Sequence, residues 1–208
     1  MARGKSERSR HEKKRHEKPT VLIICEGETE LLYFRDIKRR YRAMWMEPHH
    51  PHCNDPKGLV SAAMRKRKEL VRKGLKVETW VVFDAESYAE QEARGYAEAI
   101  GSAAKNNIQV ANSSPSFEYW ILLHYVPGIQ VIEPREAEKE LAKEGRIPSY
   151  RKPVLPYDEL WEKYLNGTPS AFARKGREAA RLEKIDPRMA RPVTYVDELV
   201  DRLTEIAK

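Results

Sequence analysis

Residues 21–30 read VLIICEGETE, in which five apolar residues run directly into an acidic cluster. Residues 79–86 repeat the arrangement as TWVVFDAE. Uninterrupted apolar runs of this length, free of Gly and Pro, are typical of strands that are buried on both faces of a parallel sheet. Because ligands of such sheets gather at the carboxyl ends of the strands, we expect both acidic clusters at one edge.

The remaining pattern predicts an α/β fold. Helical periodicity covers residues 28–41, Asn54 or Asp55 with Pro56 starts a second helix, and Gly74 ends it. A short apolar patch at 43–46 is the candidate second strand, and 75–83 is the strongest strand of the chain. A helix over 89–106 and a strand over 108–111 complete a doubly wound parallel sheet with right-handed crossovers.

The chain divides into two predicted parts. Residues 1–18 form a basic tail that is too polar to fold alone, and 19–208 form one domain. Within the domain, 19–126 are the α/β core and 127–208 are a helical appendage, because short helical stretches there are separated by prolines.

Charge is concentrated in the tail. The chain of 208 residues has a net charge of +7, and the tail contains eight Lys/Arg and three Glu. Such an arm suits nucleic acid, whose phosphates attract Lys and Arg. A solubilising tail is the equally favoured alternative.

Several classes of protein are excluded by the pattern. No apolar stretch approaches the roughly 20 residues that span a bilayer, and residues 1–18 have no apolar core of a secretory signal. Two cysteines do not make a disulfide framework, so we expect a reduced cytoplasm. A phosphate-binding Gly-x4-Gly-Lys-Ser/Thr loop is missing, so ATP hydrolysis of that kind would need a partner.

The acids have a spacing that suits metal ions. Glu26 is expected at a strand tip with Glu30 one helical turn later, and Asp84 and Glu86 alternate around one residue. Ser116 and Glu118 repeat that spacing. Converging carboxylates repel one another unless a cation is present, and five are enough for two Mg²⁺ or Mn²⁺ ions. The helix dipole alone could explain the acids of the first helical turn.

These motifs resemble the Toprim fold of topoisomerases, primases and the overcoming-lysogenization-defect nucleases. The Glu-x3-Glu, Asp-x-Asp and Ser-x-Glu motifs of those nucleases match Glu26/Glu30, Asp84/Glu86 and Ser116/Glu118, although the second motif is Asp-x-Glu here. The chain is more similar to the RloB-like family, through residues 21–30, 80–86, 112–124 and 192–200. These segments extend over nearly the whole chain after the tail.

The resemblance implies a Mg²⁺-dependent nuclease that acts on DNA or tRNA in anti-phage defence, beside an ATPase partner. By that likeness Glu26 would bind metal and take part in acid/base steps, and Glu30, Asp84, Glu86 and Glu118 would hold ions. Ser116 would assist, and a downstream lysine would be Lys152, with Lys175 as the second choice. The alternative is a non-catalytic partner that binds nucleic acid or a nucleotide. The sequence does not choose between a monomer and a homodimer.

One further group of residues could bind Zn²⁺. His49, His50, His52 and Cys53 lie within five residues. Their adjacent spacing is poor for a tetrahedral site, and two prolines favour a plain loop.

Overall fold

The computed structural model describes residues 19–51, 53, 55–85, 95–128, 133–186, 188 and 190–208. The predicted tail, Glu86, His52 and the first part of the predicted helix over 89–106 lie outside the described residues.

Four strands form the predicted parallel sheet. They are β1 Thr20–Cys25, β2 Met46–His49, β3 Val77–Val82 and β4 Gln109–Val110, in the order β2-β1-β3-β4. All three pairings are parallel. The buried apolar runs thus became the two central strands, as the sequence predicted.

The second strand begins later than predicted. Residues 43–45 belong to the turn after the first helix, where Arg42 has φ 46° and the Ala43 N–H donates to the Lys38 carbonyl. The strand instead continues to His49 and includes Pro48. Proline is accepted there because β2 is an edge strand, on which a missing N–H does not interrupt a central ladder.

Three helices connect these strands: α1 Glu28–Arg40, α2 Pro56–Arg72 and α3 Tyr96–Lys105. The predicted start of α2 is confirmed, because the Asp55 side chain accepts a hydrogen bond from the Gly58 N–H at 2.7 Å. Gly74 follows the helix with φ 83°, a left-handed conformation that favours glycine.

The side chains of β1 alternate between two apolar clusters. Val21, Ile23 and Cys25 pack with α1 on one face, and Leu22 and Ile24 pack with α2 and α3 on the other. All five are fully buried. The sheet is therefore covered by helices on both faces, which is the doubly wound arrangement.

The predicted core ends with a short helix, α4 Phe117–Leu122. The residues after it are mainly helical and also contribute a strand. Their helices are α5 Pro134–Leu141, α6 Tyr157–Leu165, α7 Thr168–Leu182 and α8 Val196–Ala207. The unpredicted strand β6 Val193–Thr194 pairs antiparallel with β5 Ser113–Ser114. Leu199, Val200 and Leu203 of α8 share the apolar cluster of α1. None of the described helices is both long and apolar enough to cross a membrane.

A buried ion pair joins α7 to α8. Arg177 donates two hydrogen bonds to the carboxylate of Asp197, at 2.7 and 2.8 Å, and both side chains are buried. The parallel geometry is the strong, bidentate form of this interaction.

Candidate metal centre and its comparison with known proteins

The candidate site lies where the strand order of the sheet reverses. The chain passes from β1 to β2 on one side and then returns to β3 on the other side of β1. In open α/β sheets, ligands bind in the crevice at this switch point, outside the carboxyl ends of the strands. The two strands that meet there, β1 and β3, are followed by Glu26 and Asp84.

Glu26 connects the tips of these two strands. Its backbone N–H donates to the Val82 carbonyl at 3.0 Å, and its side-chain Oε2 accepts from the Asp84 N–H at 2.9 Å. The Glu26 carboxylate therefore reaches from the tip of β1 to the tip of β3, where it lies beside the backbone of Asp84.

Glu30 is folded back over Gly27. A Cβ at position 27 would lie 2.6 Å from Glu30 Oε2, closer than such atoms approach in proteins. The backbone of Gly27 is extended, with φ −126°, so glycine is needed for space and not for its conformational freedom. The missing side chain leaves a cradle for the Glu30 carboxyl.

Burial makes the Glu30 carboxyl a much weaker acid than usual. Its exposed fraction is 5%, and burial raises its pKa to about 7. A backbone hydrogen bond opposes this shift, the charges of Glu118 and Glu26 add to it, and the charge of Lys152 opposes it. The three glutamates are thus within electrostatic range of one another, although they come from the tip of β1, from α1 and from α4.

Glu118 lies in the first turn of α4 and is almost completely buried. Its carboxylate accepts a hydrogen bond from the Ser116 hydroxyl at 2.7 Å and from the Tyr150 hydroxyl at 3.0 Å. Burial and the charge of Glu118 raise the pKa of Tyr150, so this phenol stays protonated and acts as a donor. Ser116 and Tyr150 fix the orientation of the carboxylate.

Lys152 brings a positive charge to the same cluster. Its Nζ lies 3.0 Å from Glu118 Oε1 and 3.1 Å from Glu138 Oε1. Burial alone would lower the pKa of Lys152, but the charges of Glu118 and Asp84 raise it. The second-choice lysine, Lys175, lines a different surface, a groove of about 410 Å³ with Tyr119 and Phe172.

The chemistry of these side chains fits a divalent cation. The donors are carboxylate oxygens, which Mg²⁺ prefers. Burial first, and then the charges of Glu118 and Glu26, raise the pKa of Glu30. Within the described ranges, no three His, Cys, Asp or Glu side chains already form a ligand set for one ion. The ammonium group of Lys152 contacts Glu118, so an ion that binds this carboxylate would compete with Lys152 for it. Glu86, the fifth predicted ligand, lies outside the described residues.

Sequence reasoning missed two side chains near this centre. Tyr150 contacts Glu118, and Glu138 contacts Lys152, but no sequence spacing connects residues so far apart. His50, for which the sequence favours a plain loop over a zinc site, lies near the tip of β1. Its ring lies 3.1 Å from the Cys25 carbonyl through Nδ1. Because a carbonyl only accepts, Nδ1 must donate, and the neutral ring then carries its lone pair on Nε2.

The other histidines and Cys53 do not complete a zinc site in the described residues. His49 ends β2, and Cys53 lies 3.2 Å from an oxygen of Asp55. His124 is a core residue: it packs edge-on against Trp120, its Nδ1 donates to the Trp120 carbonyl, and burial lowers its pKa to about 4.

The comparisons with known proteins give one match. No curated protein and no solved structure matches the chain. The family model for RloB-like protein matches residues 21–203. This range begins within β1, ends within α8, and includes the five predicted acids, Ser116 and Lys152. The chain therefore belongs to the RloB-like protein family.

Proposed function

We propose that this protein is a nuclease that hydrolyses phosphodiester bonds in DNA or tRNA and depends on Mg²⁺ or Mn²⁺. One observation carries the proposal. The buried carboxyl groups of Glu30 on α1 and Glu118 on α4 lie within electrostatic range of each other and of Glu26 at the tip of β1, and the pKa of Glu30 is about 7. Burying several like charges costs stability. We therefore infer that the arrangement serves a function.

Four described residues would hold the metal: Glu26, Glu30, Asp84 and Glu118. The sequence adds Glu86 to this set, which would suffice for two ions. When bound, a divalent cation lowers the pKa of water and neutralises charge on the phosphate group.

The protein's own side chains would support that chemistry in different ways. Glu30 exchanges a proton near neutral pH, and it would release the proton when a cation enters the site. Glu26 is held in place by the Asp84 N–H and would take part in acid/base steps. Lys152 would act as a point charge beside the phosphate, while Ser116 and Tyr150 orient Glu118.

The family supports a wider proposal about the context of the reaction. We propose a Toprim-type arrangement of the sheet, action in anti-phage defence in the cytoplasm, and regulation by an ATPase encoded nearby. The parallel order β2-β1-β3-β4, with acids after the two central strands, supports the Toprim assignment.

A second candidate function is nucleic-acid or nucleotide binding without turnover, as a partner subunit of such an ATPase. The observation that favours it is the contact of Lys152 with Glu118, since the described residues form no ready ligand set. An ammonium group can stabilise buried carboxylates permanently, in place of a metal.

Cleavage of plasmid DNA and of total tRNA by the purified protein tests both candidates. Each substrate is incubated with Mg²⁺, Mn²⁺ or EDTA, with and without the neighbouring ATPase, beside the variants Glu26→Ala and Asp84→Ala. Metal-dependent cleavage that both variants lose would support the nuclease. Binding without cleavage in every mixture, including the complex, would support the second candidate.

A further inference from the structure

Helix α2 and the residues that follow it are strongly basic. Residues 56–77 contain Glu69 as the sole acid, against eight Lys and Arg. The helix dipole favours cations only in the last turn, so it accounts for Arg72 but not for the basic residues in the middle of the helix. The long basic run requires another explanation.

The exposed members of this run share one face. Arg65, Lys68 and Arg72 follow one another at helical spacing, opposite the buried Leu59, Ala63 and Leu70. Lys73 and Lys76 continue the same surface after the helix ends, and both are exposed. Among these exposed cations, Lys73 pairs with Glu69 at 3.1 Å.

A second helix extends the surface sideways. Lys57 and Glu98 lie 3.7 Å apart near the starts of α2 and α3, and the Arg67 guanidinium donates to the Asn106 carbonyl near their ends. The two helices therefore run side by side in the same direction. This places the exposed Lys105, at the end of α3, beside the end of α2.

The N-terminal tail joins the chain at the same end. The Thr20 N–H donates to the Lys76 carbonyl at 2.8 Å, so the tail with its eight Lys/Arg continues from a point beside Lys76. This end of the sheet is opposite to the acidic edge, because α2 runs back along the sheet for 17 residues, about 25 Å.

We propose that Arg65, Lys68, Arg72, Lys73, Lys76 and Lys105 form a basic surface that binds the sugar–phosphate backbone of nucleic acid. The surface holds a part of the polymer that is distant from the acidic edge. Covering the 25 Å of α2 requires about 7 base pairs of duplex, so binding should need more nucleic acid than the acidic edge alone could contact. The inference shares its ligand class with the proposed function but does not depend on cleavage.

Binding measured in EDTA tests this surface separately from catalysis. The test variant is Lys68→Gln/Arg72→Gln/Lys76→Gln, and the matched control is Lys143→Gln/Arg181→Gln/Lys184→Gln. Both remove two Lys and one Arg, all exposed, and both keep the basic tail. The probe is a fluorescently labelled DNA duplex of about 30 base pairs, with a duplex of about 8 base pairs and labelled tRNA as further probes.

We expect the test variant to bind the long duplex and tRNA at least about tenfold more weakly than the control. The slope of log affinity against log salt should fall by about 2–3, at about 0.9 per lost phosphate contact. The difference should persist for the short duplex, because its length of about 8 base pairs exceeds the roughly 7 that cover α2. Equal affinities and slopes for the two variants would overturn the proposal and leave an acidic protein as the partner of this surface. If the wild type shows no metal-dependent cleavage but the two variants differ in binding as expected, only the proposed catalysis is contradicted.

Discussion

The Glu26 carboxylate accepts a hydrogen bond from the backbone N–H of Asp84 at 2.9 Å, and this contact joins the tips of the two central strands. The acid of the first motif is thus positioned by the backbone of the second. Two motifs that are 58 residues apart in sequence form one structural unit.

The variant Glu26→Gln separates this positioning from charge. The amide oxygen can still accept from the Asp84 N–H, but the side chain no longer carries a negative charge. We expect metal-dependent cleavage to fall by at least about 100-fold, with the melting temperature nearly unchanged. Glu28→Gln is the control, because Glu28 is an exposed acid two residues later, at the start of α1. Comparable losses in both variants would contradict a special role for Glu26.

Gly27→Ala tests the cradle of Glu30. The new methyl group would meet Glu30 Oε2, so the carboxyl must move, but this flexible end can move at little cost in stability. We expect cleavage to fall by about 100-fold while the protein remains folded. Gly101→Ala is the control, since a Cβ there meets no atom within 4 Å. Full activity of Gly27→Ala would show that the position of Glu30 is unimportant.

The pKa of Glu30 predicts how stability depends on pH. Between its ordinary pKa of 4.5 and its folded pKa of about 7, the folded protein keeps a proton that the unfolded chain has lost. The free energy of unfolding should therefore decrease as pH rises through this window, by an amount on the order of 3 kcal/mol.

Urea unfolding in EDTA at about pH 5 and pH 8, for the wild type and for Glu30→Gln, measures this effect. The variant cannot ionise at position 30, so its decrease across the window should be smaller. Identical pH dependence in the two proteins would contradict the raised pKa.

Lys152→Met is expected to affect metal binding and cleavage in opposite directions. Removing the ammonium group frees Glu118 from its cation, so Mg²⁺ should bind about tenfold more tightly in calorimetry. Single-turnover cleavage should fall by about 100-fold, because the charge beside the phosphate is lost. Lys143→Met, which removes an exposed lysine, should change neither quantity. Weaker metal binding in Lys152→Met would show that Lys152 does not compete with the ion.

The ion pair between α7 and α8 predicts a large effect on stability. Arg177→Met leaves the buried Asp197 without its partner, which should lower the free energy of unfolding by about 3–5 kcal/mol. Arg174→Met removes the exposed pair with Asp201 from the same helix and should cost less than about 1 kcal/mol. Chemical denaturation of both variants measures the difference, and equal losses would contradict the importance of burial.

Local patterns in the sequence determined the central sheet. The alternation of apolar runs and helical periods predicted parallel strands, and the acids after β1 and β3 were predicted at one edge. These features depend only on residues that are near in sequence, because a strand or helix has a fixed repeat. The same reasoning misplaced β2, since Pro48 is acceptable only on an edge strand, and strand order is not a local property.

Only the tertiary structure decided how the rest of the site is formed. The contact of Tyr150 and Lys152 with Glu118 depends on where the chain returns after α4, and no periodicity encodes that. The pKa of Glu30 likewise depends on burial beneath several elements and on the charges of Glu26 and Glu118. The sequence by itself determined which acids follow the central strands. Folding decided which of the other groups stand beside those acids, because burial and electrostatic contact arise between residues that are distant along the chain.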